Sequence, residues 1–342
     1  MSRRTIKFAL TWLLMLVMVL LAACSSNNAE TAKSVEIQPT PSSSPSVTEQ
    51  PIASKEAKDQ EKAGSKGFLW KVTGGRNSAY LAGTIHIARK EMYPLDEDLE
   101  QAIEEANYIA LELDLTKVDQ AKMLEMVNEK ALLTDGTSLK DHVAEEDYEK
   151  FEKILKKSIL SAGAATFDQY EPWYAAMTLE SLPAMKYMMT DGIDVYLAKQ
   201  AHKDGKQIIE LEDAESQLGI FDGFSEEMQQ LYFHQTVESA GQASIGLKQL
   251  LDMWTMGNLK LLETMHDQFE KEGKKSMGDL FDEYNDSFLV KRNAGMADKV
   301  DLLLSKGEAG TYLVAVGSLH MVGEEGLVSL LQKKGYTVEF IE

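Results

Sequence analysis

The sequence predicts an α/β (α+β) protein in which a mixed central β-sheet is interrupted by long helical insertions. Short apolar runs of strand composition recur near both ends of the folded part and once in its middle. Two stretches, about 116–205 and 214–305, carry helical periodicity and few Gly or Pro residues. A composition of 44% hydrophobic and 26% charged residues over 342 positions belongs to a globular chain with a sizeable core.

The first element is a targeting segment. Arg3, Arg4 and Lys7 precede an apolar run from Phe8 to Ala23 broken only by Thr11, which is short for a membrane-spanning helix. The run ends in Leu21-Ala22-Ala23-Cys24 followed by Ser25-Ser26, which resembles a bacterial lipobox. The expectation is a signal peptide over 1–23 and a lipidated, palmitate-bearing Cys24. The domain is then exported and anchored on the bacterial cell membrane facing outward, periplasmic or extracellular. An uncleaved signal anchor is the alternative. Residues 24–66, rich in Ser, Thr, Glu, Lys and Ala and holding Pro39, Pro41, Pro45 and Pro51, read as a disordered tether.

Cys24 is the only cysteine, so the folded part has no disulfide, no thiol nucleophile and no Cys-based zinc site. A net charge of -20 repels nucleic acid, which argues against a nucleic-acid partner.

The domain, 67–342, opens with Phe68–Val72, a Gly74-Gly75 turn and Ala79–Ala82, a hairpin pattern whose second strand runs into Gly83-Thr84-Ile85-His86. A helix around 95–106 leads to a third strand, 108–114. After the first helical block, 207–212 reads as a fourth strand. After the second come 311–317 and 336–341, with a helix over 323–333 between them. Strand-Gly-x-x-His occurs at 83–86 and 317–320, and a strand ending in a carboxylate occurs at Glu112 and at Glu210/Glu212. A distant internal duplication is one reading of these pairs.

His86 and His320 both emerge where an apolar strand gives way to a loop, and Glu112 and Glu212 fall at comparable strand ends. Ligands collect outside the carboxyl ends of parallel strands, so the four side chains are expected to meet on one rim of one sheet. Two imidazoles and a carboxylate suit a divalent cation, and a second carboxylate can move a proton during attack on a carbonyl. The bland alternative is a pair of hydrogen-bonded structural histidines.

Gly83–His86, the Ala110–Asp114 strand and Gly317–His320 resemble the paired Gly-x-x-His and acidic-strand signatures of the TraB/PrgY/GumN family, which animal TIKI proteins share. Gly192-Ile193-Asp194, Glu212 with Gln217, and Arg292-Asn293 with Met296 also look family-like. The resemblance implies a TIKI/TraB-like fold and a metal-dependent peptidase acting on peptides or secreted proteins. It implies His86, His320 and Glu112 as metal positions and Glu112, Glu212 and Arg292 as catalytic ones. Manganese or cobalt is the cation the family suggests, with zinc left open. A surface lipoprotein that sequesters peptides without cutting them, of the pheromone-shutdown type, is the alternative, and haem or metal-ion binding is a third. Oligomeric state is not legible.

Asp194, just after Gly192, reads more readily as a helix cap than as a site residue. Arg292 suits a charge partner for Glu112 or a substrate carboxylate. His142, His202, His234 and His266 read as surface or structural residues, and the 17 methionines as adaptable core packing. Ser318 lacks the Gly-x-Ser-x-Gly frame of a serine nucleophile.

Overall fold

Alternating apolar residues and a glycine-rich turn bring the first two strands together. β1 (Phe68–Thr73) and β2 (Ser78–Thr84) pair antiparallel with Trp70 opposite Leu81, and Gly74 takes a φ of 101° in the turn. The computed structural model describes residues 64–160, 163–187 and 189–342, so the expected signal peptide, Cys24 and nearly all of the tether lie outside the described residues. The packed chain starts ahead of residue 67. Ser65 is buried, and its backbone exchanges hydrogen bonds with Pro94 and Asp96.

The other strands are β3 (Tyr108–Leu111), β4 (Gln207–Glu210), β5 (Thr311–Gly317) and β6 (Thr337–Phe340). They complete a six-stranded mixed sheet of order β4-β3-β5-β2-β1-β6, in which β1 alone runs against the rest. Consecutive residues of β5, from Tyr312 through Val316, are all buried, as befits a strand covered on both faces.

The helices are α1 (Glu97–Glu105), α2 (Gln120–Ala131), α3 (Glu145–Lys157), α4 (Pro172–Ser181), α5 (Ile193–Lys203), α6 (Ala214–Asp222), α7 (Glu226–Ser239), α8 (Ala243–Met256), α9 (Leu259–Met277), α10 (Leu280–Asn285), α11 (Lys291–Lys306) and α12 (Leu327–Lys333). Local chemistry sets their ends. Asp119, Ser225 and Asn258 accept first-turn N–H bonds, Pro172 opens α4, and Gly257 closes α8 at a φ of 60°. α4 is buried at nearly every position and anchors the helical block by stacking Trp173 on Phe221. Among the described residues, no helix is long and apolar enough to cross a membrane.

Four elements differ from the sequence reading. β3 and β4 stop at Leu111 and Glu210, although a backbone bond from the Glu212 N–H to the Glu112 carbonyl at 2.8 Å carries the pairing further. The expected helix over 323–333 begins at Leu327, because Gly323 (φ 87°) belongs to a turn. A five-residue π-helical segment, Asp286–Val290, joins α10 to α11, a feature the periodicity does not reveal.

Candidate catalytic and metal centre

Because β2, β3, β4 and β5 run parallel, their carboxyl ends share one rim. His86 follows β2, Glu112 follows β3, Glu212 follows β4 and His320 follows β5. The centre of the group is Gly317. A side-chain carbon built there would lie 3.4 Å from Glu112 Oε1, 3.5 Å from His320 Cδ2 and 3.6 Å from His86 Nε2. Any larger residue would therefore occupy the space the three groups face.

Each imidazole is fixed from behind. His86 Nδ1 lies 2.6 Å from Asp194 Oδ2, and Thr84 Oγ1 donates to the other Asp194 oxygen at 2.6 Å. A carboxylate only accepts, so the Nδ1 of His86 carries the proton. His320 Nδ1 lies 2.6 Å from Asn293 Oδ1, and the Asn293 amide nitrogen donates to the Glu325 carbonyl at 2.8 Å, which orients that amide and gives His320 the same tautomer. In the neutral rings this leaves each Nε2 lone pair opposite its tied-back Nδ1, with His86 Nε2 beside Gly317 and His320 Nε2 3.9 Å from Glu112 Oε1, the arrangement that outer hydrogen bonds impose on metal-binding histidines.

The carboxylates are held by one guanidinium. Arg292 Nη2 bonds Glu112 Oε2 at 2.6 Å and Glu212 Oε2 at 2.6 Å, while its Nε bonds Glu212 Oε1 at 2.8 Å. Gly317 N–H donates to Glu112 Oε1 at 2.7 Å, and that oxygen lies 3.9 Å from His320 Nε2. Gln217 adds an amide bond to Glu212 at 3.0 Å. The π-helical segment ends where α11 begins, and Arg292 also donates to the Phe288 carbonyl within it at 3.3 Å.

Electrostatics separate these groups. Burial raises the Glu112 carboxyl above its ordinary range against the pull of Arg292, whereas at Glu212 burial is outweighed by the Arg292 bonds and the carboxyl is lowered. Burial disfavours the His86 imidazolium, but Asp194 outweighs it and the pKa ends raised. Burial, then the charge of Arg292, pushes His320 well below 6.5.

Two residues sit elsewhere than the sequence reading put them. Asp194 is not the cap of α5. Gly192 occupies that position, and the Asp194 side chain turns instead to Thr84 and His86. Gly192 is needed because a side-chain carbon there would lie 2.0 Å from the His86 carbonyl oxygen. Asn293, part of the family-like Arg292-Asn293 pair but absent from the site residues read from the sequence, positions His320. His202 pairs with Asp114 at 2.8 Å and His234 with Asp147 at 2.8 Å, so both have carboxylate partners other than those of the Gly317 centre.

The two oriented imidazoles and the nearby Glu112 oxygen fit a divalent cation in kind. In spacing they do not yet form a cage: among the described residues, no three His, Cys, Asp or Glu side chains stand together at metal-ligand distances. Glu112 is drawn toward Arg292 and the Gly317 N–H.

Strand-end histidines and an arginine-clamped carboxylate pair thus gather imidazole and carboxylate groups at one rim of the parallel sheet. The chain belongs to the TraB/PrgY/gumN family, whose model matches residues 68–340. It is similar to Metalloprotease TIKI2 of Danio rerio, 23% identical over 80% of this chain and 60% of that protein. Metalloprotease TIKI homolog of Nematostella vectensis is 22% identical over 80% of this chain and 67% of its own length. Uncharacterized protein YbaP of Escherichia coli (strain K12) is 24% identical over 75% of this chain and 89% of its own length. The chain thus spans about three fifths to two thirds of these animal relatives. No solved structure matches it.

Proposed function

We propose that this protein is a metal-dependent peptidase that hydrolyses peptides or secreted polypeptides, with its centre at His86, His320 and Glu112. The observation that carries the reading is the pair of imidazoles, each with Nδ1 tied back, with His86 Nε2 beside Gly317 and His320 Nε2 3.9 Å from Glu112 Oε1. The names of the TIKI relatives support metalloprotease chemistry. His86 and His320 would hold a divalent cation through Nε2, with Glu112 Oε1 as the nearest carboxylate oxygen; manganese, cobalt and zinc all suit such donors. When bound, the cation would supply a Lewis acid for the peptide carbonyl.

The side chains supply the rest. Glu112, its carboxyl raised by burial, takes a proton from the attacking water as the water oxygen bonds to the carbonyl carbon. As the C–N bond breaks, that proton passes to the leaving amine. Arg292 keeps Glu112 and Glu212 in place, and Glu212 balances its charge. Cleavage of a peptide mixture, followed by mass spectrometry, is expected only with added divalent metal and is expected to vanish in His86→Ala. Metal-independent cleavage surviving that substitution would overturn the reading.

A second reading, sequestration of peptides without cleavage, is favoured by the engagement of both Glu112 oxygens, one by Arg292 and one by the Gly317 N–H. Tight binding with intact recovery of the peptides would select it. For location, we propose an outward-facing domain tethered through lipidated Cys24, supported by the Leu21–Cys24 segment. Cys24→Ser is then expected to abolish palmitate incorporation and to release the protein from the membrane fraction.

A further inference from the structure

An apolar cavity of about 110 Å³ lies directly against the centre. His86, His320, Gly317 and Arg292 form its polar end, and Leu247, Leu250, Met253, Phe269, Phe288 and Leu289 line much of the remainder. These apolar residues come from α8, α9 and the π-helical segment. The π-helical segment thus serves two purposes, since it turns Phe288 and Leu289 into the cavity and precedes the arginine that clamps the carboxylates.

We infer that this cavity is the recognition pocket for one aliphatic side chain of the substrate, Leu or Met in size, next to the bond that is cut; the inference rests on the peptidase reading above. Size and chemistry decide the occupant. An apolar cavity of about 150 Å³ stays dry and admits a benzene ring, so one somewhat smaller takes a branched or linear aliphatic chain and excludes an indole. No charged group lines the apolar part, so a charged side chain there would be left unpaired. Because both imidazoles and Arg292 belong to the lining, a side chain seated in the cavity lies directly beside the centre. The charged cleft beside β4, about 670 Å³ and lined by Asp114, Lys117, His202, Lys206 and Glu210 among others, offers no such fit.

Acetylated hexapeptides differing only at one position, Gly, Ala, Leu or Trp, test this in two readouts: cleavage with added manganese by mass spectrometry, and binding by calorimetry. The Leu peptide is expected to exceed the Gly peptide by about tenfold or more in kcat/KM, the range that a few buried methylenes supply. Leu250→Trp, which fills the cavity, is expected to erase that ratio. Phe269→Leu, at the half-buried rim, is expected to extend acceptance toward larger side chains. Equal cleavage of all four peptides, or a Leu preference that survives Leu250→Trp, would overturn the pocket and leave the peptidase reading standing. If no peptide is cut but the Leu peptide binds more tightly and loses that advantage in Leu250→Trp, the pocket stands and the peptidase reading falls. Absence of both cleavage and side-chain-dependent binding overturns both.

Discussion

His86 and His320 close two segments of the same form, a glycine, two residues and a histidine at the end of a buried parallel strand, yet their surroundings push their pKa values in opposite directions. Behind His86 stands a carboxylate, Asp194 of α5, which favours the imidazolium and overcomes the opposing effect of burial. Behind His320 stands an amide, Asn293 of α11, which adds no charge, while burial and then the neighbouring Arg292 oppose protonation. The strands place the rings, and the two helical blocks decide their chemistry. One fold thereby builds two unlike imidazoles from one local pattern.

Removing the residue that joins the two halves has the largest expected effect. Arg292→Met leaves Glu112 and Glu212 buried without their shared counter-charge, and a loss of about 3–5 kcal/mol in urea unfolding is expected. Next is the carboxylate behind His86: Asp194→Asn is expected to lower divalent-metal affinity and peptide cleavage by about 10–100-fold, as removal of such orienting partners does. The same change is expected to bring the His86 pKa down, read from imidazole proton shifts. Asn293→Ala frees the His320 ring and is expected to cost metal affinity toward the lower end of that range, with no effect on His86 titration.

The smallest effect separates the two rings through pH. In metal-free protein, His86 has a folded pKa above its unfolded value of 6.5, so its contribution to stability is complete below 6.5 and fades as pH rises through the folded pKa. His320 has a folded pKa below 6.5, so its contribution is complete above 6.5 and fades as pH falls toward the folded pKa. Asp194→Asn is expected to weaken the first dependence and leave the second in place, in unfolding curves taken across that interval.

Strand order was not legible in the sequence, but strand ends were. Alternation and the apolar runs located His86, Glu112, Glu212 and His320 at the termini of four strands, and those strands prove parallel neighbours with a common rim. The partners behind the histidines were harder to read. Asp194 is 108 positions from His86, and an acid two residues after a glycine at a helix start carries the local signature of a cap, so only the docking of α5 against the end of β2 reveals its role. Asn293 belongs to the family-like Arg292-Asn293 segment, but nothing local in the sequence ties its amide to His320. The apolar cavity depends on a π-helical segment, which lacks the regular period that makes ordinary helices visible.

If His86 and His320 together hold a divalent cation, metal content and manganese affinity of the purified protein must depend on both, and the His86→Ala/His320→Ala double variant measured beside the wild type decides the matter. About one equivalent of divalent metal is expected on the wild-type protein, with binding abolished in the double variant while the fold is retained. Equal metal binding by both proteins, or none by the wild type at saturating manganese, cobalt and zinc, would contradict a metal centre built on these two imidazoles.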